Sequence, residues 1–387
     1  MSVSRPRPLG VALIGQKFMG RAHSNAYAQV GRFFDLPLAP VREVACGRDA
    51  RELASFAERW GWRRATTDWR ELAGDPTVEL VDVATPNALH AEPAIAMLEA
   101  GKHVACEKPL ARDLAEARAM RDAAAAAPDS KTFVWFNYRR CPAVGLAHRL
   151  VREGRVGRIH HIRARYLQDW GGARTPRTWR FQQSEAGSGA HGDLNAHLVD
   201  LARFVTGEEF AQVHGAVAAT FFAERPDPVD PSRRLPSDVD DALLFTASTT
   251  SGAVASFEAS RVAAPHQNGL ELEVNGERGS LRFAFEDMNL LWFHDAQDGR
   301  REGGWRRVMC TSADDHPWAA AWWPDAHLLG YEHGFTNTLA DALRVLGGQA
   351  PELPLADFAD AYETQRVLEA ASIAARERAS VRLQDVQ

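Results

Sequence analysis

Leu9-Gly10-Val11-Ala12-Leu13-Ile14-Gly15-Gln16-Lys17-Phe18-Met19-Gly20-Arg21-Ala22-His23 decides the fold. A short run typical of a buried strand meets a glycine-bounded turn, and a helix-like segment then continues to Val30. That is how a βαβ unit opens. The dinucleotide fingerprint places glycine at the first, third and sixth positions of such a turn, where the backbone turns tightly, approaches a pyrophosphate and packs on the sheet. Gly15 and Gly20 fill the first and sixth positions, and Lys17 stands at the third. The pattern is incomplete but sits between a strand and a helix, and a lysine there can add positive charge near a phosphate at the helix N-terminus. Gly15, Lys17, Phe18 and Met19 are therefore candidate cofactor contacts; the competing reading is a tight turn with a surface lysine.

Outward from this turn the rhythm repeats. Val41–Cys46 precedes a helical pattern at Ala50–Arg59, Val78–Ala84 precedes one at His90–Ala100, and His103–Cys106 precedes one at Leu114–Ala127, with a fifth strand at Thr132–Phe136. Strands and helices alternating at this spacing predict a doubly wound parallel sheet, the Rossmann arrangement, over residues 1–140. Beyond Arg140 the pattern changes. A helix at Ala143–Glu153, a strand at Ile159–Leu167, a Gly- and Arg-rich loop to Gly192 and a helix at Asp193–Thr206 come first. Period-2 segments follow at 213–222, 241–249, 253–261, 270–275 and 280–285. They predict a second, α+β domain over residues 141–387, built on a mostly antiparallel sheet and contributing to the substrate site. Glu224–Asp238, with four prolines, reads as a surface excursion. Trp305–Leu328 shows weak periodicity, and 331–345 and 358–378 look helical.

Composition agrees with two globular domains. The 387 residues are too many for one ordinary domain, and a formal charge of -6 leaves no basic footprint for nucleic acid. Cys46, Cys106, Cys141 and Cys310 have neither metal-type spacing nor a disulfide framework, which fits a reducing cytoplasm. Met1–Gly10 carries arginines without an apolar signal run, and no segment nears the roughly 18 apolar residues that span a bilayer. Neither membrane nor nucleic acid is an expected partner; a small polar ligand is. The 11 tryptophans against 5 tyrosines offer flat faces that can stack on sugar rings, although tryptophan more often fills cores.

Four further segments can carry chemistry. After the second strand, where a carboxylate normally holds the adenosine ribose, the sequence reads Gly47-Arg48-Asp49. Arg48 suits a 2′-phosphate and so NADP, Asp49 suits NAD, and both stay open. At the end of the third strand Thr85, Asn87 and His90 would face a ligand bound at the carboxyl ends of the strands, or merely cap a turn. In Glu107-Lys108-Pro109 a lysine directly follows a buried strand, which would deliver it into the cleft to bond a substrate hydroxyl and assist proton transfer. A surface salt bridge with Glu107 is the plainer alternative. Finally, Asp193 and His197 lie four apart on a helix fed by small residues, so they share a face where the carboxylate can orient the imidazole as a general base. No further ligands group with them, and no metal is expected.

Taken together, Gly15–His23, Glu107–Pro109 and Asp193–His197, in this order, resemble the signatures of the Gfo/Idh/MocA family of oxidoreductases. The resemblance spans nearly the whole chain. It implies a Rossmann domain binding NAD, and a C-terminal domain whose large open sheet often joins subunits, here as a homodimer or homotetramer. Lys108 and His197 become the acid/base pair, with Asp193 as their supporting carboxylate. Within the family, Phe18–Ser24, Phe136–Arg140, Tyr166–Trp170 and Trp179–Phe181 look like dehydrogenases that oxidise the C3 hydroxyl of glycosides and anhydrosugars. By that likeness Asn137 and Glu107 serve the cofactor, and Tyr138, Arg139, Gln168, Asp169, Trp179 and Arg180 line the carbohydrate site, with His191 a further candidate. Some relatives oxidise a sugar only transiently and cleave a glycosidic bond, and Arg139, Arg140, Arg174, Arg177 and Arg180 admit an anionic sugar; a neutral one is the default.

Overall fold

The computed structural model describes residues 5–299, 301–314 and 316–386; Met1–Ser4 and Gln387, at the ends of the two expected domains, lie outside the described residues. The first domain comprises β1 (Arg7–Ile14), α1 (Phe18–Phe33), β2 (Leu38–Cys46), α2 (Ala50–Trp60), β3 (Arg64–Thr66), β4 (Leu80–Val83), α3 (Ala91–Glu99), β5 (His103–Cys106), α4 (Leu114–Ala126) and β6 (Thr132–Val134). Its strands pair in parallel in the order β3-β2-β1-β4-β5-β6. Leu9, Val11, Ala12 and Leu13 are wholly buried because both faces of the sheet are covered, so β1 is continuously apolar rather than alternating. Strand order reverses between β1 and β4, which opens a ligand crevice at their carboxyl ends.

The second domain follows with α5 (Pro142–Arg152), β7 (Ile159–Leu167), α6 (Gln183–Ala186), α7 (Ala196–Thr206), β8 (Phe210–Ala219), β9 (Glu224–Pro226), β10 (Arg234–Pro236), β11 (Ala242–Thr249), β12 (Val254–Ser260), β13 (Gly269–Gly276), β14 (Gly279–Ala284), β15 (Leu290–Asp295), β16 (Arg306–Met309), α8 (Ala319–Trp322), α9 (Tyr331–Leu346), α10 (Phe358–Glu377) and β17 (Val381–Arg382). The large sheet runs β16-β15-β14-β13-β7-β12-β11-β8-β17, antiparallel except for the β7/β12 pair. Burial alternates along β11, β13 and β14. One face packs under α5, α7 and α10, and the other is uncovered by helices of the described chain.

Several expectations change. Glu224–Asp238 is more than an excursion: it holds the β9/β10 hairpin and wholly buried Arg225, which bonds the Gly171 carbonyl and the Asp241 carboxylate. The weakly periodic stretch before α9 contributes β16 and α8, with Trp318 and Trp322 in the core. The helix expected from Asp193 instead starts as a π-turn over His191–Asn195 and becomes α-helical at Ala196. The division at residue 140 separates the sheets but not the helices. α9 returns to pack on α1 and α10 on α4, and the Val134 N–H donates to the Ala356 carbonyl at 2.8 Å.

Candidate active site

The turn after β1 is shaped for close backbone approach. Gly15 has φ +124°, and a Cβ there would lie 2.3 Å from the Ala84 carbonyl oxygen. The N-cap of α1, Lys17, forms no side-chain cap, and the first turn has no acidic residue. The free N–H groups therefore suit the pyrophosphate of a dinucleotide. Lys17 itself projects into solvent and pairs with Glu52. Asp49 is engaged as the N-cap of α2, accepting from the Glu52 N–H at 2.8 Å, and Arg48 is exposed outside the cleft lining. The carboxylate brought beside this turn is thus Glu52, also 3.3 Å from the Gln16 amide nitrogen. Its position within a helix hides it from a search for an acid at the strand end.

A cleft of about 420 Å³ between the two sheets gathers Phe18, Met19, Thr85, Asn87, Glu107, Lys108, Asn137, Tyr138, Gln168, Trp179, Arg180, Asp193 and His197. Tyr166, Leu194, Gln267, Asn268 and Tyr331, which sequence reading did not assign to the site, complete its wall.

At its centre the Lys108 ammonium donates to Asp193 Oδ1 at 2.9 Å and to the Asp193 carbonyl at 3.0 Å, tying one domain to the other. Arg261, also unanticipated, donates to Asp193 Oδ2 at 2.9 Å from a nearly buried position. Burial works against charge on Asp193, but Lys108, Arg261 and Arg180 outweigh it and hold the carboxyl well below its usual range. Both Asp193 oxygens are thereby occupied by cations, so the expected role of orienting His197 is not what the geometry shows. His197 is instead positioned by rings: it stacks on Tyr138 with centroids 4.3 Å apart, beside Tyr166 at 5.9 Å. Burial first, then the Lys108 charge, push its imidazole well below the usual range, and its Nδ1 has no partner among the described residues. Both causes favour the neutral imidazole. Beside it runs a polar chain. The Tyr138 and Tyr166 hydroxyls are 3.0 Å apart, Tyr166 donates to Asn268 Oδ1 at 2.6 Å, and Gln168 Nε2 donates to the same oxygen at 2.9 Å. The Arg180 guanidinium lies 4.4 Å above the Trp179 ring.

Besides Arg48 and Lys17, four further expected site residues lie elsewhere. His90 is wholly buried, its ring nitrogens facing the carbonyls of Thr85 at 3.0 Å and Pro109 at 3.1 Å, one of which its single N–H bonds in the neutral form. Arg139 is buried between Asp200 and Asp360, where it joins α7 to α10. His191 bonds the Leu368 carbonyl at 2.8 Å and the Asn195 amide at 3.0 Å. Asp169 is exposed, outside the cleft lining. Arg139 and His191 each stand beside a motif but are held by a partner distant in sequence. Among the described residues, no group of three or more His, Cys, Asp or Glu side chains is placed to hold a metal ion.

A dinucleotide-binding sheet joined across a polar cleft to a large antiparallel sheet defines a two-domain oxidoreductase. Residues 9–134 match the oxidoreductase family with an NAD-binding Rossmann fold, and residues 144–282 match the GFO/IDH/MocA C-terminal domain. The chain belongs to the Gfo/Idh/MocA family. It is 41% identical over 378 residues to levoglucosan dehydrogenase of Pseudarthrobacter phenanthrenivorans, covering 92% of this chain and 93% of that protein. Among solved structures, levoglucosan dehydrogenase in complex with NADH and levoglucosan superposes with a TM-score of 0.91 at 40% identity, covering 97% of this chain and 99% of that one. An oxidoreductase domain protein from Kribbella flavida gives 0.93 at 48% identity, with the same coverage.

Proposed function

We propose that this chain is an NAD-dependent dehydrogenase that oxidises a secondary hydroxyl, at C3, of a neutral pyranose such as an anhydrosugar or glycoside. The observation that carries the reading is the pairing, in one cleft, of a charged Lys108 anchored on Asp193 with a neutral, ring-held His197. Bound NAD would supply the hydride acceptor. The residues of the chain then divide the rest of the work. The Lys108 ammonium, fixed by Asp193, donates a hydrogen bond to the reacting oxygen, while neutral His197 takes its proton. Asp193 keeps its negative charge because Lys108 and Arg261 flank it. Gln168, Asn268, Tyr138 and Tyr166 offer uncharged donors and acceptors suited to ring hydroxyls, and the Trp179 face suits an apolar sugar face.

Lys108→Met tests the assignment. Turnover is expected to fall below detection while NAD binding, followed by quenching of tryptophan fluorescence, is retained; near-normal turnover refutes it. Steady NADH accumulation with an anhydrosugar or glycoside supports net oxidation, whereas release of an aglycone at catalytic cofactor would replace it with redox-assisted cleavage. The same reading assigns the helix-free face of the large sheet, where Val217, Leu244 and Val254 are exposed on neighbouring strands, to self-association of the chain.

A further inference from the structure

Behind the Glu107-Lys108 segment lies a buried charged cluster that shares Glu107 with the cleft wall. His23 of α1 is wholly buried, and so is Asp82 of β4. The two ring nitrogens of His23 face two different carboxylates: Nδ1 is 3.0 Å from Asp82 Oδ2 and Nε2 is 3.0 Å from Glu107 Oε1. Asp82 also accepts from the Tyr27 hydroxyl at 3.0 Å and from Trp135 Nε1 at 2.9 Å. The second oxygen of Glu107 accepts the backbone N–H of Lys108 at 3.1 Å. The His23 ring packs against Trp135, with centroids 4.2 Å apart, and against Phe335 at 5.6 Å.

A neutral imidazole has a single N–H and could satisfy only one of these carboxylates. Two ionised carboxylates in a dry site also need a counter-cation. Among the described residues no lysine or arginine is bonded to either: the Lys108 ammonium goes to Asp193 instead. The other titratable neighbours are Tyr27, Cys106, His90 and Tyr331. Burial keeps the first two and Tyr331 protonated and neutral by raising them, and keeps His90 neutral by lowering it.

We propose that His23 is a positioning residue: as an imidazolium doubly bonded to Asp82 and Glu107, it fixes the Glu107 carboxylate that receives the Lys108 backbone and so sets where Lys108 enters the cleft. Its influence on the reaction rests on Lys108 acting as read above; its charge does not. Burial opposes that charge, but the two carboxylates outweigh it and raise the imidazole to about 9. Without His23, two acids are left buried with no cation between them. The one facing the cleft, Glu107, then takes up a proton and loosens its hold on Lys108. The device is a chain of bonds from Asp82 of β4 through His23 of α1 and the Glu107 side chain to the backbone of the reacting lysine.

Two measurements test this. In the intact protein labelled with 15N-histidine, both ring nitrogens of His23 should remain protonated through neutral pH; a neutral His23 there, with the proton on a carboxyl, overturns the proposal whatever the fate of Lys108. In kinetics, His23→Asn should lower kcat at neutral pH by about 10- to 100-fold, with KM for the sugar within about twofold of the parent. The lost rate should return as pH rises, because Glu107 regains its charge. Adding Asp82→Asn, which removes the competing acid, should restore part of the neutral-pH rate. A double variant that is folded by circular dichroism yet no faster than the single one, or a single variant with the parental rate and pH profile, refutes it.

Discussion

Arg261→Met removes one of the two cations on Asp193 and leaves the other. Arg261 Nη2 donates to Asp193 Oδ2 at 2.9 Å, and its side chain is 2% exposed, whereas that of Asp193 is 23% exposed in the cleft. Methionine fills the aliphatic part of the arginine volume and donates nothing. A charge-assisted hydrogen bond of this kind contributes about 1.5–3 kcal/mol. Taking about 2 kcal/mol as the part lost where Asp193 anchors Lys108, the rate falls about 30-fold. The sign of the pH effect follows from the same contact. In the parent protein the flanking cations hold Asp193 well below its usual range, so removing one moves its titration upward and the acid limb of kcat/KM shifts to higher pH. The assay is initial NADH formation across a pH series with saturating NAD, accompanied by a melting curve, because Arg261 also bonds the Arg180 carbonyl at 3.0 Å and its loss lowers stability as well. Arg261→Lys, which keeps the charge but not the fork, should fall between parent and Met variant. A folded Met variant whose kcat/KM and acid limb match the parent would show that Asp193 is held by Lys108 alone.

Two other outcomes concern stability. His23 is raised from 6.5 to about 9, so its contribution is fully present below about pH 6.5 and is lost as pH rises through 9; the shift corresponds to roughly 3 kcal/mol. Buried His90, His191 and His197 are lowered, and His316 is lowered to about 3, so their contribution is lost as pH falls below about 6.5 and the unfolded chain takes up protons. Urea midpoints should therefore peak near neutrality and fall on both sides; a midpoint still rising at pH 9 contradicts the His23 account. Arg139→Met should cost about 3–5 kcal/mol, because it leaves Asp200 buried without its main cation, while KM of the residual folded enzyme is unchanged. A raised KM at unchanged melting temperature would return Arg139 to the sugar site.

The first sheet was legible because its strands are buried on both faces and carry unbroken apolar runs, and because the turn at Gly15 has a local geometric demand. β3 was not, since three residues at a sheet edge, two of them exposed, leave no apolar pattern. β17 is shorter still, and β16 is mostly exposed. The site divides in the same way. Lys108, Asp193 and His197 stand in short motifs whose spacing is itself informative. Arg261 reaches Asp193 across 68 residues, and Asn268 reaches Tyr166 across 102, so no local pattern announces them. The converse failure has the same cause. Arg139 lies beside a recognisable segment, but its partner Asp360 is 221 residues away, and only the fold shows that the arginine is already engaged.

The hydrogen bond from Lys108 to Asp193 is also a seam. Each side of that bond is carried by a different domain, Lys108 just after β5 and Asp193 in the π-turn before α7, and the seam is reinforced where Asn87 Nδ2 donates to the Ala186 carbonyl at 2.9 Å and Arg112 to the Ser184 carbonyl at 3.0 Å. Chimaeras that exchange whole domains between relatives can therefore keep both cores intact and still lose the chemistry, because competence resides in the fit between halves. Recombination of this architecture is constrained less by what each module contains than by whether the surfaces on either side of the crossing match.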